Sequence, residues 1–153
     1  MYKLLFLLTL SLPVVAQMAP LSAASDSAKT DAVVTAVLQT QVNAWNHHDL
    51  EAFMAGYWNS PELTFFSGGQ ENRGWQQALD HYRATYASRG HEMGKLAFAN
   101  LRVEPLGTDA AFVRGEYHLT MPDGKTPHGL FTLVFRRFPD GWKIVHDHSS
   151  AAE

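Results

Sequence analysis

The sequence predicts an α+β domain: three N-terminal helices packed on a strongly bent, mainly antiparallel sheet. Three observations carry this. Apolar residues recur at helical spacing only in the first half of the chain. Alternating stretches rich in β-branched and aromatic residues fill the second half. Asp-Gly pairs at 123–124 and 140–141 divide those stretches as hairpin turns. Helices first and antiparallel strands last is the α+β order, and 153 residues suit one domain, placed at 28–150.

The first helix is predicted from about Ala28 to His47. Val34, Val37, Leu38, Val42 and Trp45 give it one apolar stripe. Asp49 then caps a second helix, "LEAFMAGYW", since its carboxylate can accept from the free amides of the first turn. Leu50, Phe53, Met54 and Tyr57 form the apolar face, and Pro61 stops the run. A short strand, "LTFFS", and a turn, "GGQENRG", lead to a third helix, "WQQALDHYRATYAS", for which Gly90 is the expected left-handed stop. In "KLAFANLRVEPL" the apolar positions change parity between Phe98 and Leu101. A bulge near Asn100 explains the change and would bend the sheet. "AAFVRGEYHLTM", "GLFTLVFRRF" and "WKIVHDHSS" complete the strands; the middle one is apolar on both faces, as an inner strand is.

Residues 1–24 are read as an export leader and loose mature N-terminus. Lys3 precedes an apolar run, and small residues allow cleavage after Ala16 or Ala24. The run is too short for a comfortable membrane span, so no anchor is expected after cleavage and the protein is expected to be periplasmic or secreted. Absence of cysteine removes disulfides, thiolate metal sites and thiol nucleophiles. A formal net charge of −3 with no basic patch argues against nucleic acid. With 12% aromatic residues the chain can fill a core and also line a cavity wall.

"AWNHHDLEAFMAGYW", "ELTFFSGG", the helix opening "RGW" and the terminal "DGWKIVHDHSS" resemble the SnoaL-like branch of the nuclear-transport-factor-2-like superfamily. More distantly the chain is similar to the association domain of calcium/calmodulin-dependent kinase, which also ends in a Trp followed by a His-x-His strand. The resemblance spans roughly residues 30–150. It implies a cone, a curved sheet wrapping three helices around a cavity, and a homodimer formed through the sheet. It speaks for the fold more than for an activity.

His146 and His148 lie two apart on the last strand, on the same side as Trp142 and Ile144 if alternation holds. With Trp142 and Ile144 in the core, both imidazoles are expected at the cavity mouth, where they can give or take a proton. The plainer alternative is structural or interface histidines. As zinc ligands they need a third partner, for which His118 and His128 stand near; no metal is assigned. Similarity to the kinase association domain turns Tyr117 inward as a hydrogen-bond donor. Tyr57, Phe66, Trp75 and Tyr82, on core faces, and Leu133, on the inner strand, are expected to line the cavity and contact the ligand. Trp58 is expected at the mouth, and Glu62 opens the first strand as a candidate base. Ketosteroid isomerase, on a similar fold, pairs an Asp base with a Tyr and a protonated Asp. Strict alternation sends Asp147 opposite His146, so that set cannot be placed.

Three functions compete. The first is an exported small-molecule-binding protein with cofactor-free acid–base chemistry of isomerase, cyclase or dehydratase type. There His146 or His148 moves the proton and Tyr117 stabilises the oxyanion. The second is a non-catalytic binding or oligomerisation module. The third binds metal through His146 and His148. Expected partners are a small molecule and a second copy of the chain.

Overall fold

A computed structural model describes residues 21–87 and 93–152. Residues 1–20 of the leader-like segment and the Gly90 stop lie outside these; the first helix, expected from about Ala28, begins at Leu21, so the loose N-terminus expected up to that point is helical from Leu21. The elements run α1 (Leu21–Asn46), α2 (Leu50–Met54), β1 (Thr64–Ser67), β2 (Gln70–Arg73), α3 (Trp75–Tyr86), β3 (Lys95–Pro105), β4 (Ala110–Thr120), β5 (His128–Phe138) and β6 (Gly141–Ala151). They form an α+β fold around one six-stranded sheet of order β2-β1-β6-β5-β4-β3. All neighbours are antiparallel except β1 and β6.

Local chemistry explains the boundaries. Asp49 caps α2 by accepting from the Ala52 amide at 2.9 Å. The helix is shorter than its apolar pattern predicts because β6 captures the chain after Met54. Trp58 N donates to Ile144 O, and Ile144 N donates to Gly56 O, both at 2.9 Å. Gly56 lets this segment pack closely on α1 as well: a Cβ there would stand 2.7 Å from the Gln41 side chain. The "GGQENRG" stretch, expected as a turn, contains strand β2, which pairs with β1 through Gly68 and Gly69, both at positive φ. Its residues Gln70–Arg73 are all polar, so no apolar alternation announces it.

Two bulges shape the sheet. The first lies between Ala99 and Arg102, with Asn100 at φ 52°, where the parity change predicts it. The second is on β6. Val134 pairs with His146 but Phe135 pairs with Ile144, which leaves Val145 as the extra residue.

The helices cover one face of the sheet. Val34, Leu38, Gln41 and Trp45 are the buried stripe of α1. Asn46 ties α1 to β3 as a strand would: its side chain donates to Leu96 O at 3.1 Å and accepts from Leu96 N at 2.8 Å. Phe135, Ile144, Leu63 and Met54 close the deep end of the core. On the sheet's other face Leu130 is 61% exposed and His128, Arg114 and His148 are also exposed. Among the described residues no helix is long and apolar enough to cross a membrane.

Candidate functional site

Because Val145 is an extra residue, side-chain alternation on β6 changes phase there. Trp142 and Ile144 point into the core as expected, but the next inward residues are Asp147 and Ser149. The expected inward orientation of His146 and His148 is therefore corrected. Both lie on the outer face beside Phe66, with ring centroids 5.0 and 6.0 Å away. His146 Nδ1 also pairs with Thr64 Oγ1 at 2.6 Å. Phe66 is outward for the same reason: β1 runs parallel to β6 in the register Phe65 to Asp147 and Phe66 to His148, so Phe65 is the buried member of the pair.

The inward residues open onto a cavity of about 90 Å³ between the helices and the sheet. Trp45, Phe53, Phe65, Phe98 and Phe131 supply its apolar wall, and Tyr57, Tyr82, Tyr86 and Tyr117 bring hydroxyls. Asp147 is 3% exposed. Tyr57 donates to its Oδ2 at 2.7 Å, and Ser149 Oγ donates to its Oδ1 at 3.0 Å. The Tyr57 and Tyr82 hydroxyls are 3.3 Å apart. Tyr57 has one proton and commits it to the carboxylate, so Tyr82 is the donor in that pair. The result is a directed chain, Tyr82 to Tyr57 to Asp147.

Among the described residues no lysine or arginine lines the cavity, and Asp147 is the one carboxylate there. Burial without a cation disfavours the charged form, and the Asp147 carboxyl is raised from 3.8 to about 6. The hydrogen bonds from Tyr57 and Ser149 and the nearby His148 pull the other way. Burial, with the charge of Asp147 behind it, pushes the Tyr57 and Tyr82 phenols well above their usual range, so both remain donors. His81 lines the cavity from α3, packed edgewise against Phe65 and Tyr82. Burial lowers its pKa, which leaves the ring neutral at pH 7. A carboxylate ionised near neutrality, yet more basic than a surface aspartate, is equipped to take a proton from a bound molecule and return it.

Of the residues singled out from sequence, Tyr57, Tyr82, Tyr117 and Leu133 stand on the cavity wall. The others stand elsewhere. Trp58 stacks on Phe138 at 5.4 Å over a separate surface groove. Trp75 borders that groove and donates its indole N–H to Met54 O at 3.0 Å. Glu62 is exposed in the turn before β1. Asp147, Ser149, Ser67 and His81 are cavity residues that sequence reasoning missed. The adjacent apolar pair Ile144–Val145, which breaks strict alternation, was the available signal. His118 and His128 stack on each other at 5.8 Å on the neighbouring strands. Among the described residues no group of three or more His, Asp or Glu converges on a metal position, so the third ligand for a His146/His148 site is not found.

A family model described as a SnoaL-like domain matches residues 34–153. Among solved structures, the chain is similar to an NTF2-like protein of unknown function from Shewanella oneidensis, at 36% identity and a TM-score of 0.73. The match covers 80% of this chain and 98% of that one. It is also similar to an NTF2-like superfamily protein from Salmonella enterica serovar Typhimurium, at 22% identity and a TM-score of 0.68, over 86% and 94% of the two chains. A third structure is a putative calcium/calmodulin-dependent protein kinase type II association domain from Thiobacillus denitrificans. It has 21% identity and a TM-score of 0.65, over 78% and 94%. No curated protein matches the chain.

Proposed function

The chain belongs to the SnoaL-like domain family, and from that premise we propose that it binds a small, partly apolar carbonyl compound in its cavity and moves a proton on it through Asp147. The observation that carries this reading is a buried carboxylate, held by two hydroxyl donors and open to an aromatic cavity, with no lysine or arginine beside it among the described residues. A carboxylate with a merely structural role is ordinarily paired. The chemistry needs no cofactor: Asp147 takes the proton α to a carbonyl, and a cavity hydroxyl outside the Tyr82–Tyr57–Asp147 chain, that of Ser67 or Tyr86, donates to the enolate oxygen. The role first expected of His146 or His148 passes to Asp147, because the β6 bulge exchanges their faces. The leader-like segment supports export, so the proposed activity would lie outside the cytoplasm.

The test is α-proton exchange into a panel of small ketones in D₂O, followed by NMR. Exchange of at least one ketone should depend on the protein and disappear in Asp147→Asn. Equal exchange by the wild type and Asp147→Asn would overturn the assignment.

A second reading, a non-catalytic assembly module, draws on the sheet's uncovered face. There Leu130 is exposed beside Glu116, His118 and His128. The association domain of similar fold belongs with this reading. It makes the protein a homodimer through the sheet. Leu130→Glu should then shift the molecular mass measured by light scattering from that of a dimer to that of a monomer.

A further inference from the structure

The two ends of the cavity carry different chemistry, and their separation bears on what fits between them. Asp147 pairs across the sheet with Leu133, and Tyr117 pairs with Gly129, on the same central strand, β5. The Tyr117 ring leans over Gly129: a Cβ there would stand 2.8 Å from both its Cε1 and its hydroxyl oxygen. The Tyr117 hydroxyl thus sits at the level of residue 129 and Asp147 at the level of residue 133. Four residues of strand separate them, about 13 Å. Between them the floor is Phe131, with Phe98 against it at 5.1 Å. At that separation Tyr117 and Asp147 cannot both act on one carbonyl group. Tyr117 is therefore a contact for the far end of a bound molecule.

We infer that the cavity selects an uncharged, elongated molecule with its reactive carbonyl end at Asp147, an apolar middle over Phe131 and a hydrogen-bond acceptor at Tyr117. The inference rests on the carbonyl reading of the site and specifies its substrate class. Allowing a hydrogen-bond distance at each end leaves roughly 7 Å for the body, the length of two fused six-membered rings. An anionic ligand meets Asp147 with no lysine or arginine among the described residues to offset it, so carboxylates and phosphates are disfavoured. An organic cation would be drawn to the Asp147 carboxylate, but the loss of its hydration offsets that attraction, and further stabilisation would need open ring faces. Here Trp45, Phe53, Tyr82 and Tyr86 pack edge to face on one another, so much of that surface is already engaged.

The experiment uses four probes of matched shape, read by calorimetry and thermal shift. They are 6-methoxy-2-acetylnaphthalene, 2-acetylnaphthalene, 6-methoxy-2-naphthoate and the corresponding 6-methoxy-2-naphthylmethylammonium. The methoxy ketone should bind the wild type at least tenfold more tightly than either charged analogue. Tyr117→Phe should weaken the methoxy ketone about fivefold, the loss of one hydrogen bond, and leave 2-acetylnaphthalene unchanged. Tighter binding of the naphthoate or the ammonium, equal response of both ketones to Tyr117→Phe, or no ketone binding would each overturn the inference. Proton exchange at the acetyl methyl group is measured on the same samples. Ketone binding with the predicted selectivity but no exchange would sink the proton-transfer reading and leave this one standing.

Discussion

Tyr57 donates its only hydroxyl proton to Asp147 across 2.7 Å, and the two residues lie ninety positions apart in the chain. The contact exists because the segment after α2 bridges onto β6 at Ile144, three residues before the carboxylate. This bond favours the charged form of Asp147 and opposes the effect of burial. Tyr57→Phe keeps the ring and removes the donor. The Asp147 pKa should then rise further above 6, by up to about one unit for a hydrogen bond of ordinary strength. A base must be ionised to act, so kcat/KM of the wild type should rise with pH through about 6 and then level off. In Tyr57→Phe that midpoint should move to higher pH. An unmoved midpoint would remove Asp147 as the titrating base.

Asp147 should also destabilise the fold it serves. Its folded pKa of about 6 exceeds the ordinary 3.8, so the native state binds this proton more tightly than the unfolded chain does. The cost is absent below pH 4, grows between 4 and 6, and is complete above 6. A shift of that size corresponds to about 3 kcal/mol. Asp147→Asn should therefore abolish proton transfer while raising stability at pH 8 by about 1–3 kcal/mol, the lower figure allowing for a poorer partner for Tyr57. At pH 4 the two proteins should differ little. Urea denaturation at both pH values checks this, and a gain at pH 4 as large as that at pH 8 would contradict it.

Local chemistry was legible in the sequence where a residue type has one physical use. The Asp49 cap, the Asp-Gly hairpins and the Asn100 bulge are of this kind. The Asn100 bulge was visible because apolar residues stand on both sides of it, and their parity changes. The Val145 bulge left only the adjacent Ile144–Val145 pair as a sign, because His146, Asp147, His148 and Ser149 are all polar and alternation among them marks no face. The whole candidate site turned on that single inserted residue. In the same way the Phe65–Phe66 pair offers two equal phenylalanines, and only the parallel register with β6 decides which one is buried.

His146 and His148 provide the control for that phase change. Both lie outside the cavity, against Phe66 and Thr64. The double variant His146→Ala/His148→Ala should leave ketone binding and proton exchange within about twofold of wild type. The stability cost should be about 1 kcal/mol, chiefly from the lost Thr64 bond and the ring contacts. A hundredfold loss of exchange with binding intact would return the chemistry to the histidines.

Gly129 tests the geometry at the other end of the cavity. A Cβ at this position would meet two obstacles: Ser150 O at 2.1 Å and the Tyr117 ring edge and hydroxyl at 2.8 Å. A side chain can rotate away, but the carbonyl belongs to the neighbouring strand and is held in the sheet. Gly129→Ala should therefore destabilise the protein by about 1–3 kcal/mol, the usual range for overpacking, and lower its affinity for the methoxy ketone. Adding Tyr117→Ala clears only the second obstacle, so the double variant should remain destabilised relative to Tyr117→Ala alone. Full recovery of stability in the double variant would mean that Tyr117 alone needs glycine there, and that the Ser150 contact relaxes without cost.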